Sequence, residues 1–429
     1  MYNSIISRKK KTKAERSKLF TVIVALTIWG HAYVVPFFPQ VNFGEVALLL
    51  GVVYLLFTGR PIRINVKPRL ALFFFYGVFV SVAVSFFIGS YKEMLFRVLR
   101  DAFYWAILIL FVFHFLDFTL FKKIVKLFCV VLSCVLISQM IVYKLTGVYL
   151  PAYPFAGMVD ANTTGRDIYD HIIFWIGHSG YLKSYGLLSE AAHCAQALFI
   201  GSLFCMSEDC PIKKWLPVIV LYLVASILTF AASAVVYVAF TVVLVLFKIA
   251  KSRGFKLNLK NTIIIAGLMA VMLFVGIVVI LNSQSQGVFS RVIASFSSST
   301  ADSSSFTRIY KGFAYWLKLP FIYKIVGIGF GNYSEINGYY SFASAIDIEN
   351  EFMNSLSYIL VSSGIIGFII LISYFVWLYK RADSNGRIMI LALALMSMAV
   401  SLYNSPYWIW FMIGIYYNSK YSAKSIKEI

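Results

Sequence analysis

Charge is what this chain has least of. Only 13% of its 429 residues are Asp, Glu, Lys or Arg, and 60% are hydrophobic. A soluble globular protein carries about twice that share of charge, so this chain cannot cover its own surface with polar groups. Cysteine is also scarce. The five cysteines (Cys129, Cys134, Cys194, Cys205 and Cys210) fall in apolar runs or in one short basic connection, so no disulfide framework is implied. Cys and His show no metal-ligand spacing, and no internal repeat or separate soluble domain is evident. Glycines 327, 329 and 331 in VGIGFGNY lack a surrounding strand–helix–strand unit, which excludes a dinucleotide-binding fold.

Apolar runs are abundant. Mean hydropathy is +0.81, and stretches near 19–38, 41–57, 70–90, 97–116, 124–143, 187–206, 215–230, 233–247, 262–281, 352–378, 388–402 and 405–417 read as membrane spans. The expected fold is all-α: a polytopic integral membrane protein of about 12 transmembrane helices, forming one membrane domain over 1–429. The stretch 216–247 is too long for one span of about 20 residues, and TFAAS in its middle reads as a tight hairpin. The basic start followed by an apolar run without a small-residue cleavage site reads as a retained first helix.

The formal charge of +20 would, if evenly spread, point to an anionic partner such as nucleic acid. It is not evenly spread. With both termini on one side, that side holds 27 of the 38 basic residues and 6 of the 18 acidic ones. This is the positive-inside pattern, with both termini cytoplasmic. The basic excess is therefore a topology signal, and no nucleic-acid partner is expected.

Two segments on the opposite side, 144–186 and 282–351, are much longer than the basic connections. Long connections of this kind tend to carry function. In the second, a helix is expected near 305–319, with Ser304 or Ser305 as N-cap. Helical spacing puts Arg308, Lys311, Tyr315 and Lys318 on one face and Phe306, Ile309, Phe313, Trp316 and Leu317 on the other. The basic face suits anionic lipid head groups, or Arg308 grips a diphosphate through its planar fork. The glycines at 327–331 permit a tight turn or a set of amides converging on an anion. Asp347, Glu349 and Glu351 stand before the run that starts near 352; a helix starting near Glu349 would align Asp347, Glu351, Asn354 and Tyr358. In the first long segment, Arg166 and Lys183 precede Glu190, which lies just inside an apolar run with His193 one turn on. An ionisable group so placed marks a substrate path, or reaches back to water at the interface. Arg97, Arg100 and Asp101 pose the same question at the start of the fourth span, where Arg100 and Asp101 either neutralise each other or pair elsewhere.

Three stretches make the chain similar to the bacterial O-antigen (Wzy-type) polymerases and, more distantly, the O-antigen ligases. Lys183-Ser-Tyr-Gly186-Leu-Leu-Ser-Glu190-Ala-Ala resembles the family's basic-x-x-Gly-x-x-x-Glu-Pro-Ser lead-in to a helix, with Lys for Arg and Ala-Ala for Pro-Ser. Arg308 through Trp316 and Pro320 to Gly327-Ile-Gly329-Phe-Gly331-Asn332 resembles Arg…Trp…Pro…Gly-x-Gly-x-Gly-Asn. Met353-Asn354…Gly364-Ile-Ile-Gly367 resembles His-Asn…Gly-x-x-Gly, with Met353 where ligases carry His. The resemblance implies a glycosyltransferase at the outer face of the bacterial inner membrane, joining undecaprenyl-diphosphate-linked oligosaccharide units without a cofactor. It implies membrane lipids, a flippase and a chain-length regulator as partners. Catalytic groups would be Glu190, Arg308, Glu349 and Glu351, and substrate contacts Lys183, Lys311, Arg166, His193, Trp316, Asn332 and Asn354. A lipid-linked glycan ligase and a flippase are the competing expectations.

Overall fold

The computed structural model describes residues 16–36, 38–58, 68–88, 91–155, 158–159, 169, 172–173, 182–207, 212–252, 312–332, 353–398, 400–402 and 405–419. The span expected at 262–281 lies outside them, as do Arg166, Arg308, Lys311, Asp347, Glu349 and Glu351.

In chain order the elements are α1 (Lys18–His31), β1 (Val34–Val35), β2 (Phe38–Asn42), α2 (Phe43–Phe57), α3 (Pro68–Ile88) and α4 (Lys92–Ala106). A π-helical stretch, Ile107–Val112, continues α4 into α5 (Phe113–Phe115). Then come α6 (Phe118–Thr146), α7 (Ala191–Met206), α8 (Ile212–Leu228), α9 (Ala232–Ser252), α10 (Gly312–Lys318), α11 (Phe321–Val326), α12 (Ser355–Arg381), α13 (Ser384–Ser397) and α14 (Pro406–Tyr417). The described chain is thus nearly all helical. Four of its stretches are long and apolar enough to cross a bilayer: Arg69–Phe87, Met94–Phe115, Phe118–Thr146 and Ser355–Arg381. Shorter apolar helices accompany them, an architecture compatible with a membrane protein.

The helix ends follow local chemistry. Asp117 starts α6 by accepting from the amides of Thr119 (3.0 Å) and Leu120 (3.2 Å), and Gly147 ends it in the left-handed region at φ 71°. Glu45 and Asn42 cap α2 reciprocally: Asn42 N donates to Glu45 Oε2 (3.1 Å), and Glu45 N donates to Asn42 Oδ1 (2.9 Å). That exchange accounts for a buried carboxylate at the head of an apolar helix. One boundary differs from expectation and another agrees with it. The run 19–38 is helical only to His31, after which Val34–Val35 and Phe38–Asn42 form a small antiparallel hairpin; Pro36 and Pro39 cannot continue a helix. The run 216–247 breaks at Thr229–Phe230, with Phe230 at φ 50°, so a turn does divide it.

The chain forms two compact units. One comprises Met1–Ser17, Leu55–Leu116 and Ser295–Ile429; the other comprises Lys18–Tyr54 and Asp117–Ala294. In the first, α12 packs on α3, α10 and α11, and α13 packs on α14. Val80, Val84, Tyr315, Leu319, Ile328, Met353 and Val361 form its apolar core at the α3–α12 seam. In the second, α7 packs against α6, α8 and α9; it is buried along nearly its whole length. Lys248 of α9 donates to the carbonyl of Met206 at the end of α7.

Candidate functional site

In the first unit, the two glycine stretches that carry the resemblance form one interlocked element. Gly364 (φ 60°, ψ −171°) breaks α12 one third of the way along. The break frees carbonyls that an unbroken helix would use. Ile328 N donates to Val361 O (3.0 Å) and Gly329 N donates to Ser362 O (2.8 Å). Glycine is required on both sides. A Cβ at Gly329 (φ 86°) would lie 2.5 Å from Ser81 Cα, and one at Gly364 would overlap Ile325 O. Phe330 N completes the turn by donating to Ser81 Oγ (2.7 Å). Of the two readings open for these glycines, the structure selects the turn: the amides from 327 to 330 all have protein acceptors, leaving none of the four for an anion.

Asn332 closes this element. Its Nδ2 donates to Ile328 O (2.9 Å) and Ser81 O (3.1 Å), and its Oδ1 accepts from Ser85 Oγ (2.7 Å). At 1% exposure its amide holds the turn to α3. Asn354 is the N-cap of α12, accepting from Ser357 N at 2.8 Å. The described helix starts at Ser355; the start expected near Glu349, and with it the alignment of Asp347 and Glu351 with Asn354 and Tyr358, lies outside the described residues. Met353 sits in the apolar core as a packing residue. Trp316 is half-buried and donates from Nε1 to Lys324 O (3.3 Å). Over the described part of α10, Lys318 is exposed and Phe313 and Trp316 are half-buried. Tyr315, placed on the basic face by spacing, is 0% exposed in the core, whereas Leu317 is 62% exposed.

The first unit also gathers ionisable groups that spacing alone left ambiguous. On α4, Met94, Asp101, Tyr104 and Trp105 are buried while Leu95, Phe96 and Leu99 are exposed. A carboxylate thus faces inward and leucines face outward, the reverse of a soluble amphipathic helix. Arg97 and Arg100, both half-buried, act electrostatically on Asp101. Asp101 and Arg97 act in turn on Tyr358 of α12, whose ring centroid is 6.0 Å from that of Phe330 in the glycine turn. The signal for Asp101 in the sequence was its phase: it shares the Met94–Trp105 stripe.

In the second unit, the Lys183–Ala192 stretch is a shaped lead-in to α7. Gly186 (φ 58°) donates its amide to Gln139 Oε1 (3.0 Å), and Gln139 Nε2 donates to Tyr149 Oη (2.8 Å) and Leu150 O (3.2 Å). Tyr153 donates to Leu188 O at 2.9 Å. Glu190 is the N-cap residue (φ −141°, ψ 147°), so it stands at the head of α7 instead of inside it, and its side chain caps none of the helix amides. His193 Nδ1 lies 3.3 Å from Ser189 Oγ. The structure therefore keeps Glu190 and His193 together at one helix mouth, with half-buried Lys183 seven residues upstream. Burial pushes the phenols of Tyr149, Tyr153 and Tyr185 above the usual tyrosine range, and at Tyr185 the charge of Glu190 pushes the same way.

Comparison with protein-family models gives no match, and comparison with curated proteins gives no matching relative.

Proposed function

We propose that the chain is a membrane glycosyltransferase of the Wzy type. It joins oligosaccharide units carried on undecaprenyl diphosphate at the outer face of the bacterial inner membrane, with both of its own termini cytoplasmic. The observation that carries this reading is the set of ionisable groups on α4. Arg97, Arg100 and Asp101 lie in a candidate span, with the carboxylate turned inward. Such groups are costly in a membrane and mark substrate paths. Transfer from a lipid diphosphate needs cations for the leaving group and a carboxylate for the incoming hydroxyl. Arg97 and Arg100 supply guanidinium groups on α4, and Arg308 and Lys311 supply further cations in the same unit's long segment. Glu190, with His193 and Lys183, offers hydrogen-bonding groups to saccharide hydroxyls at the head of α7. The interlocking of the Gly327–Asn332 turn with the Gly364 break supports the family resemblance, because two separate motifs then serve one structural purpose. The buried Met353 favours polymerase over ligase.

The test is analysis of lipid-linked glycans in a deletion strain. Accumulation of single repeat units on the carrier lipid at the outer face is expected. Retention of full-length polymer on the carrier would indicate a ligase, and single units held at the cytoplasmic face a flippase; either result rejects the polymerase reading. Arg308→Ala and Glu190→Gln are each expected to stop chain extension with expression retained, and normal polymer lengths in either variant would remove that residue from the site.

A further inference from the structure

Two buried carboxylates on described helices contrast sharply. Glu45 is satisfied by the cap it forms with Asn42. Asp101, 5% exposed, has no hydrogen-bond partner for Oδ2 among the described residues. A buried polar atom normally has a partner, and leaving one without costs about 1–3 kcal/mol, more for a charged group. Asp101 is also well inside the span. It lies seven residues past Met94, about 10 Å along the helix, and Arg97 is one turn nearer the start.

Three occupants of that open oxygen can be weighed. The arginines of its own helix act on the carboxylate electrostatically yet give Oδ2 no hydrogen bond. A metal cation would meet the two guanidinium charges already acting on the carboxylate, and their repulsion disfavours it. A neutral hydroxyl donor satisfies the oxygen without adding charge, and a saccharide offers many. Titratable groups on the helices packed with α4 are compatible with that. Tyr358 comes from α12. On α3 the one charged side chain, Arg69, donates to Ser373 O (3.1 Å), and Tyr76 donates to Val326 O (2.8 Å).

We infer that Asp101 is the proton acceptor for the attacking saccharide hydroxyl, an inference that rests on the transferase reading above. The hydroxyl oxygen bonds to the anomeric carbon of the growing glycan while its proton passes to Asp101 Oδ2. The bond from that carbon to the diphosphate oxygen breaks, and its electron pair leaves on the diphosphate, whose new charge faces Arg97 and Arg100. The proton then passes from Asp101 to the released diphosphate or to water, restoring the carboxylate.

The experiment uses the full chain in lipid nanodiscs and, as substrate, the lipid-linked glycan pool extracted from a deletion strain. Chain extension by wild type, Asp101→Asn, Asp101→Glu and Glu190→Gln is followed from acidic to mildly alkaline pH, and donor binding is read from tryptophan fluorescence. Asp101→Asn is expected to slow turnover about 10²–10⁴-fold, to leave donor binding unchanged, and to flatten the fall of rate at low pH. Wild-type turnover in Asp101→Asn with the acidic fall intact overturns the assignment, as does a slowed Asp101→Asn that keeps the wild-type acidic fall. If Asp101→Asn does not fold, Asp101→Glu decides: slower turnover with a displaced acidic fall supports the assignment, and a wild-type profile overturns it. A wild-type protein that leaves the pool unextended overturns the transferase reading and, with it, the role given to Asp101.

Discussion

Replacing Asn332 separates a structural role from a substrate-binding one. The side chain makes three hydrogen bonds, to Ile328 O, Ser81 O and Ser85 Oγ, and is sealed from solvent. Each such bond contributes about 1 kcal/mol net, and Asn332→Ala also leaves Ser85 Oγ short of its acceptor. The loss should be about 3 kcal/mol, or on the order of 6–12 °C in the unfolding midpoint of a unit this size. Intrinsic tryptophan fluorescence during heating reads this directly, because Trp105 and Trp408 of the same unit stack near each other at 5.5 Å. Ser85→Ala removes one of the three bonds and should cost about a third as much; the double variant should then show a coupling on the order of 1 kcal/mol. An Asn332→Ala protein that melts like wild type yet loses chain extension would refute this reasoning and return Asn332 to the substrate site.

Three further outcomes follow from the same geometry. Gly364→Ala forces a Cβ into the left-handed region against Ile325 O and should cost at least about 1–3 kcal/mol, seen as reduced yield of monodisperse protein; normal yield and melting would show that the break in α12 is not needed. Asn354→Ala removes the N-cap of α12 and should destabilise by about 1 kcal/mol, whereas Asn354→Asp, still a capping residue, should melt close to wild type. Tyr149, Tyr153 and Tyr185 should resist ionisation in an alkaline ultraviolet titration, because burial raises their phenols above the usual tyrosine range. The sign follows: their contribution to stability is complete below about pH 10 and is lost as pH climbs from there towards the raised folded values. Early release of all three phenols from folded protein would contradict the packing around Gln139.

The local parts of the fold were the legible ones. Apolar runs located the helices because burial in lipid or core needs a continuous apolar surface, and short signals such as Asp117 before α6 or Thr229–Phe230 between α8 and α9 act over a few residues. The motif residues were legible as motifs but not as to purpose. Nothing in Gly-x-Gly-x-Gly-Asn states whether its amides face an anion or a neighbouring carbonyl. That depends on Gly364, more than thirty residues on, whose break supplies the carbonyls. Met353 could be read as a departure from a ligase pattern, but its place in an apolar core depends on partners from α3 and α10.

Composition and order along the chain alone settled the helical class and the scarcity of charge, because hydropathy is a sum over neighbours in sequence. Asp101 illustrates the limit. Its phase on α4 was present in the sequence, but its inward direction required α4 to be packed, and its open oxygen required every nearby donor to be placed. Asn332, expected from the resemblance as a substrate contact, is hydrogen-bonded in the fold to Ser81, Ser85 and Ile328. Hydrogen-bond satisfaction is a property of atoms brought together from distant parts of the chain, so only the tertiary structure could show that Asn332 helps hold the fold and that Asp101 Oδ2 has no hydrogen-bond partner among the described residues.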